Sequence, residues 1–262
     1  MKLKNKVALI TGAGRGLGRA SAVAMAREGA ALALISRTAA ELDETALLVE
    51  KAGGSAIALP LDISDEKALR EAVDKAGTSL GGIDILMNNA AVVGPVAPLH
   101  EVDPDEWRYT LAVNIDGARQ ACQEAVPHMI RAGGGRIINV TSGMAEISMP
   151  LFGAYSASKA ALNNMSRIMA EELRGYGIQV NGLDPGVMDT HMQTEIRDMG
   201  PPILGRALYE QFLSFKQEGH LKQPEEVARL AVFLSSDDSV GVSGEIGGEE
   251  EFRDYGYGLS ED

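Results

Sequence analysis

A single doubly wound α/β domain is the fold class that the sequence predicts, and three observations predict it. Short apolar runs of strand length alternate with helix-like segments almost from the first residue. The first run ends in a glycine-rich turn, TGAGRGLG from Thr11 to Gly18, that opens a helix. The chain has 262 residues, which fits one large domain better than two and is long enough for a substantial core. Apolar strands separated by helices of this length are βαβ units around a mostly parallel sheet.

The elements follow in order. Strands are expected at 7–11, 31–35, 55–61, 83–87, 135–141 and 178–183. The first helix follows the glycine turn to about Gly29; Leu42, Ala46 and Val49 mark the next, which Gly53 and Gly54 end. Ser64 is read as the cap of a third helix. It lacks the reciprocal capping box, because Lys67 stands where Glu or Gln is needed, while Asp65 and Glu66 suit the positive end of the helix. Asp103 and Pro104 open a helix that runs into Trp107 and Leu111. A long helix is expected at 154–173, and a short one starts at Pro224 and Glu225 and ends near Leu234. The rhythm breaks at about 188–220, where Pro201-Pro202 and several methionines interrupt it; such a stretch near the carboxyl ends of strands reads as a lid or substrate loop. The domain is therefore expected to span 1–248, with a tail at 249–262 that lacks clear periodicity.

Composition narrows the partners. With 24 basic and 37 acidic residues the net charge is −13, which speaks against nucleic acid or an anionic membrane. Cys122, the only cysteine, can form no disulfide within the chain and reads as a buried inert thiol; a cytoplasmic location fits. The opening MKLKNKVALITG is not read as a signal peptide, since its apolar run is short and ends in a glycine turn. His100, His128, His191 and His220 are dispersed and fit no metal-ligand spacing, so no metal is expected.

The glycine turn lies between a strand and a helix, the context in which it binds a dinucleotide. Gly12 permits the tight turn, Gly16 removes a side chain where a pyrophosphate approaches, and Gly18 lets helix and strand pack closely. Gly14, Arg15 and Leu17 complete the turn assigned to the cofactor. An acidic residue at the end of the second strand would bind ribose hydroxyls and repel a ribose phosphate. Ser36 and Arg37 stand there instead, with Arg15 able to reach the same side, which argues for NADP(H) over NAD(H). The competing reading makes both arginines solvated surface residues. Asp62 and Ile63 follow the third strand and are assigned to adenine, although a lone Asp at a strand end is equally a turn residue.

These residues resemble the short-chain dehydrogenase/reductase family, especially bacterial reductases related to 3-oxoacyl-acyl-carrier-protein reductase, up to about Gly244. Besides TGAGRGLG, Asn88-Asn89-Ala90 matches a family motif that usually continues with glycine; Ala91 stands there instead and narrows the space beside the cofactor. Pro185, Gly186 and Thr190, with Val187 between them, match PGxxxT, which the resemblance places at the nicotinamide end. Asn114, Ser142, Tyr155 and Lys159 fall on the family's four catalytic positions, with Tyr155 and Lys159 also contacting cofactor. The resemblance implies a Rossmann-type domain with a seven-stranded sheet and a homotetramer.

The chemistry can be argued from the residues themselves. Tyr155 and Lys159 are four apart on a predicted helix and share a face. An adjacent ammonium favours phenolate and lowers the tyrosine pKa, so that Tyr155 can serve as acid for a carbonyl or base for an alcohol. Ser142 ends the fifth strand and can bind the substrate oxygen; the Asn114 amide is suited to hold a water that relays protons to Lys159. Taken singly, YxxxK is common on solvated helices, Ser142 could cap a turn and Asn114 could be a structural amide. The expected reaction is hydride transfer between NADP(H) and a small carbonyl or alcohol. Met144, Phe152, Met188, His191 and Met192 are candidates for the substrate wall, together with Met149, Met199 and Glu146. Two alternatives stand beside this reading: an NAD-dependent alcohol or sugar dehydrogenase of the same fold, and a nucleotide-binding sensor or scaffold without turnover. In the tail, Phe252, Tyr255, Tyr257 and Leu259 are candidates to dock on a neighbouring subunit, and Glu249, Glu250 and Glu251 argue against a simple buried strand.

Overall fold

The computed structural model describes residues 1–258. One sheet carries seven strands: β1 (Val7–Thr11), β2 (Ala31–Ser36), β3 (Ser55–Pro60), β4 (Ile85–Asn88), β5 (Gly135–Val140), β6 (Ile178–Leu183) and β7 (Ile246–Gly247). Their order is β3-β2-β1-β4-β5-β6-β7, and every pairing is parallel. The chain winds outward from β1 to β3 and then returns to the other side of β1. That reversal splays the connections leaving β1 and β4 and opens a crevice at their carboxyl ends.

Both faces of the sheet are covered, which is why all five residues of β1 are buried. Ala8 and Ile10 point into a core shared with α1 (Gly16–Arg27), α2 (Ala39–Lys51) and α10 (Pro224–Ser235). Leu9 points the opposite way, toward α3 (Glu66–Leu80) and α5 (Gly117–Ala132). The second face also carries a buried polar thread. Asn88 Nδ2 donates to Asn139 Oδ1 at 2.9 Å, and Asn139 Nδ2 donates to Ser166 Oγ at 2.8 Å, tying β4, β5 and the long helix α6 (Gly153–Leu173) together. The donors of both amides are used in this thread, which fixes the lateral register of the layers, while Asn88 Oδ1 stays buried without a partner.

Three local expectations are revised. The cap of α3 is Asp65, whose carboxylate accepts from Ala68 N at 3.0 Å, while Ser64 Oγ donates to Asp62 at 2.7 Å. Asp65 stands where its carboxylate meets the free amide of Ala68 in the first turn, and the serine is left to brace Asp62 just after β3. Asp103 does cap α4 (Pro104–Leu111), accepting from Asp105 N and Glu106 N. The 188–220 stretch is helical: α7 (His191–Asp198), α8 (Gly200–Leu204) and α9 (Arg206–Gln217) are separated by left-handed glycines at Gly200 and Gly205. They close on their own small core of Phe152, Ile196, Leu204 and Phe212, with the Phe152 and Phe212 rings 5.7 Å apart.

The third revision is the tail. Residues Glu249–Arg253 form a short helix, α11, whose Glu251 carboxylate accepts from Gly248 N at 2.7 Å. Phe252 is 0 % exposed in the first core, and the Tyr257 ring meets Phe233 edge-on at 5.5 Å. These two aromatics therefore anchor the tail on its own chain; Tyr255 is partly exposed, and Leu259 lies outside the described residues. None of the described helices is long and apolar enough to cross a membrane. Phe252→Ala removes a fully enclosed ring and should lower unfolding free energy by about 3–5 kcal/mol, read as a lower urea midpoint at unchanged slope. A loss under about 1 kcal/mol would show that the tail is peripheral to the fold.

Candidate functional site

A cavity of about 430 Å³ occupies the crevice at the carboxyl ends of β1, β2 and β4. Its floor is the glycine turn. Gly12 and Gly16 have φ of +65° and +54°, a region costly for other residues. A Cβ on Gly12 would stand 2.7 Å from Asn89 Nδ2, and one on Gly18 2.3 Å from Gly12 O, so these two positions are closed by packing. At Gly16 the space opens, with only Thr190 Cγ2 at 3.5 Å from such a Cβ. Leu17 lines the cavity from the first turn of α1. Asn89 pins this turn: its amide donates to Thr11 O at 2.9 Å and Gly12 O at 3.1 Å. In return Thr11 Oγ1 accepts from Asn89 N and Ala90 N at 3.0 and 3.1 Å, and Ala90 and Ala91 line the wall beyond.

Ser36, Arg37, Asp62 and Ile63 line one end of the cavity. Ser36 Oγ is buried without a hydrogen-bond partner. Arg37 Nη1 donates to Tyr109 Oη at 2.9 Å, and Tyr109 donates to Asp62 Oδ2 at 3.0 Å. Burial works against the Asp62 charge, but hydrogen bonds from Ser64 and Tyr109 and the nearby Arg37 outweigh it and hold its pKa below the ordinary value. Arg15 faces Glu41 at 3.7 Å, so this end carries two acids, Glu41 and Asp62, as well as two guanidinium groups. The bare glycine floor and the orphaned Ser36 hydroxyl fit a dinucleotide laid across the turn.

The other end holds ionisable groups that are almost wholly enclosed. Tyr155 and Lys159 leave the first turns of α6, and Lys159, 2 % exposed, donates from Nζ to Val140 O at 2.7 Å. Nζ lies 5.6 Å from the centre of the Tyr155 ring. Burial pushes the Tyr155 phenol up to about 12, a hydrogen bond with Ser142 pulls it down, and the Asp184 carboxylate raises it further. The ammonium was expected to lower this value; in the closed pocket desolvation dominates and the phenol keeps its proton. Burial lowers Lys159 to about 8, against the pull of Asp184. Ser142 sits at the exit of β5, where its Oγ accepts from Met144 N at 3.2 Å. Asn114 lies in a π-helical turn, Ala112–Asp116, and is fully engaged as a donor. Its Oδ1 accepts from Val92 N at 2.8 Å, and its Nδ2 donates to Val92 O at 2.9 Å and Ser158 Oγ at 3.0 Å. Tyr155 and Lys159 thus line one end of the cavity with Ser142 hydrogen-bonded to the phenol behind them, while Asn114 stands back from the wall and spends its amide on the main chain and on α6.

Pro185 and Thr190 line the cavity, Gly186 turns the chain with φ of +66°, and Val187 O accepts from Lys222 N at 2.9 Å. Met188, His191 and Met192 are on the cavity wall. Phe152 is not, because it fills the lid's own core, with Met144, Met149 and Met199 packed beside it. Glu146 accepts from Asn163 Nδ2 at 3.1 Å. The Cys122 thiol is pushed up to about 12 by burial, against a hydrogen bond from Asn88 and the Arg119 charge, which makes it unreactive. Four residues enter the site that the sequence reading passed over: Glu41, Tyr109, Ser158 and Asp184. Only Asp184 carried a signal, as an acid placed directly before the Pro185-Gly186 turn.

Comparison with known proteins gives the class. Residues 6–200 match the sequence profile of the short chain dehydrogenase family. A cis-4-hydroxycyclohexanecarboxylate dehydrogenase of Sinomonas cyclohexanicum is 35 % identical over 92 % of this chain and 93 % of its own. A 3-oxoacyl-acyl-carrier-protein reductase of Thermotoga maritima is 34 % identical over 94 % of this chain and 96 % of its own. The crystal structure of an NAD+-bound xylitol dehydrogenase superposes with a TM-score of 0.86 at 28 % identity, covering 95 % of this chain and 98 % of that one. The chain belongs to the short-chain dehydrogenase/reductase family. It is an oxidoreductase of alcohol and carbonyl groups built on a nicotinamide-dinucleotide fold.

The lysine makes a testable mark on stability. Its folded pKa of about 8 lies below the ordinary 10.5, so between those values the unfolded chain binds the extra proton and stability rises with pH. Thermal unfolding of wild type and Lys159→Met from pH 7 to 10 should show the wild type gaining roughly 2–3 kcal/mol relative to the variant. Parallel curves would mean that no ammonium is buried there.

Proposed function

We propose that the protein interconverts a secondary alcohol and its ketone, as an alcohol or sugar dehydrogenase of this fold. The observation that carries this reading is the group at one end of the cavity, where Tyr155 and Lys159 line the wall, the Ser142 hydroxyl is hydrogen-bonded to the Tyr155 phenol, and Lys159 Nζ lies 5.6 Å from the centre of the Tyr155 ring. Tyr155 is the general acid for a ketone and, deprotonated, the general base for an alcohol. Ser142 holds the substrate oxygen against the phenol. Lys159, fixed by Val140 O, supplies the positive charge that favours phenolate once the alcohol must lose its proton. Asn114 is a positioning residue: it clamps both peptide groups of Val92 and steadies Ser158, whose hydroxyl donates to Tyr155 O at 2.7 Å.

Residues for the dinucleotide follow from the cavity. Gly12, Gly14, Gly16 and Leu17 would take the pyrophosphate, Ser36, Arg37 and Arg15 the adenosine ribose, Asp62 and Ile63 the adenine, and Asn89, Ala90, Ala91, Pro185, Gly186, Val187 and Thr190 the nicotinamide end. When bound, that group supplies or accepts the hydride. At the ribose, the orphaned Ser36 hydroxyl beside two arginines supports NADP(H). Glu41 beside Arg15, and the NAD+ in the xylitol dehydrogenase, support NAD(H) as the second reading. Assembly as a homotetramer is proposed through α6, whose outer face presents Ala157, Ala161 and Ile168 to solvent.

Steady-state kinetics of secondary alcohols with both dinucleotides tests the function directly, and absence of any turnover would remove it. Arg37→Asp should lower kcat/KM for NADP+ by roughly a hundredfold and leave NAD+ little changed. Equal losses with both would remove the phosphate-binding role and leave the NAD(H) reading standing.

A further inference from the structure

We propose that Asp184 makes this site select neutral alcohols that carry a second hydroxyl beside the reacting carbon, and reject carboxylates. The proposal rests on Tyr155, Ser142 and Lys159 being the reaction centre. Asp184 leaves the carboxyl end of β6, and its main chain is pinned there, N donating to Gly247 O at 2.7 Å. One carboxylate oxygen, Oδ1, is committed to the turn that follows, accepting from Gly186 N at 2.9 Å. That bond aims the other oxygen at the loop after β5: a Cβ on Gly143 would stand 3.4 Å from Asp184 Oδ2. Gly143 is the neighbour of Ser142, the residue that holds the substrate oxygen. Its charge reaches the reaction centre itself, adding to the upward shift of Tyr155 and opposing the burial that lowers Lys159.

An acceptor oxygen so placed suits a hydroxyl donor one carbon from the reacting one, in a charge-assisted hydrogen bond. A carboxylate in that place meets a like charge, with Glu146 adding another on the same loop. The neighbouring basic side chains offer it no compensation. Lys159 is enclosed against Val140 O, Lys222 pairs with Glu249 at 3.7 Å, and His191 pairs with Glu195 at 3.1 Å.

The test uses three probes on one ring: 1,2-cyclohexanediol, cyclohexanol and 2-hydroxycyclohexanecarboxylate. The full chain and its Asp184→Asn and Asp184→Ser variants are assayed with whichever dinucleotide supports turnover. Wild type is expected to favour the diol over the carboxylate by at least roughly tenfold in kcat/KM, and both variants to reduce that ratio by about the same factor. A general disturbance of Tyr155 and Lys159 would slow all three probes alike and leave the ratios unmoved. Wild type preferring the carboxylate, or ratios within about twofold of wild type in both variants, would overturn the assignment. Calorimetric affinities of the same probes separate this from the parent reading. The ranking in binding without turnover would keep the Asp184 assignment and remove the alcohol–ketone reading; no ranking in binding or turnover would overturn both.

Discussion

An ammonium enclosed at the end of a parallel strand is costly unless something holds it, and the architecture around Lys159 exists in the form that holds it. A single carbonyl, Val140 O, accepts from Nζ, and it is available because β5 ends there: the next ladder bond runs from Thr141 N to Leu183 O, and the chain then turns away at Ser142. The same strand end therefore supplies the anchor for the lysine and the hydroxyl beside the phenol. The helix that carries Tyr155 and Lys159 must in turn be fixed against β5 along its length. The Asn88–Asn139–Ser166 thread does this one layer deeper, and the Asn114–Ser158 bond does it at the helix start.

The lid is built on different physics. Its helices hardly share the main cores; they pack around Phe152, Ile196, Leu204 and Phe212 and are punctuated by left-handed glycines. A small separate core of this kind can open at less cost than the sheet can, because fewer apolar groups are exposed on opening. Thr190 and Met192 reach the cavity from this separately packed segment, so the wall they form is built apart from the glycine floor.

The cradle, the parallel sheet and the Tyr155–Lys159 pair were legible in the sequence because each depends on local spacing: glycines at a strand–helix junction, apolar runs of strand length, a four-residue helical step. What was not legible depends on distance in the chain. Asp65 and Ser64 both cap helices well, and only the placement of Asp62 decides which one is free to do so. Phe152 looked like a pocket residue from its position near Tyr155, yet the lid folds over it from sixty residues downstream and removes it from the wall. The described part of the tail had no periodicity because it is a short helix anchored by two rings, Phe252 and Tyr257. The sign of the Tyr155 shift was misjudged for the same reason: the adjacent charge is visible in YxxxK, whereas the burial that opposes it belongs to the folded pocket.

At the proposed reaction centre the Tyr155 phenol transfers the proton while taking little part in holding the dinucleotide. Single-turnover kinetics of Tyr155→Phe, paired with fluorescence titration of the reduced dinucleotide, tests it most directly. Affinity within about twofold of wild type is expected, with a chemical step slowed by roughly a hundredfold to ten-thousandfold. A variant that binds normally and turns over within about threefold of the wild-type rate would contradict it, because some other group would then be the acid.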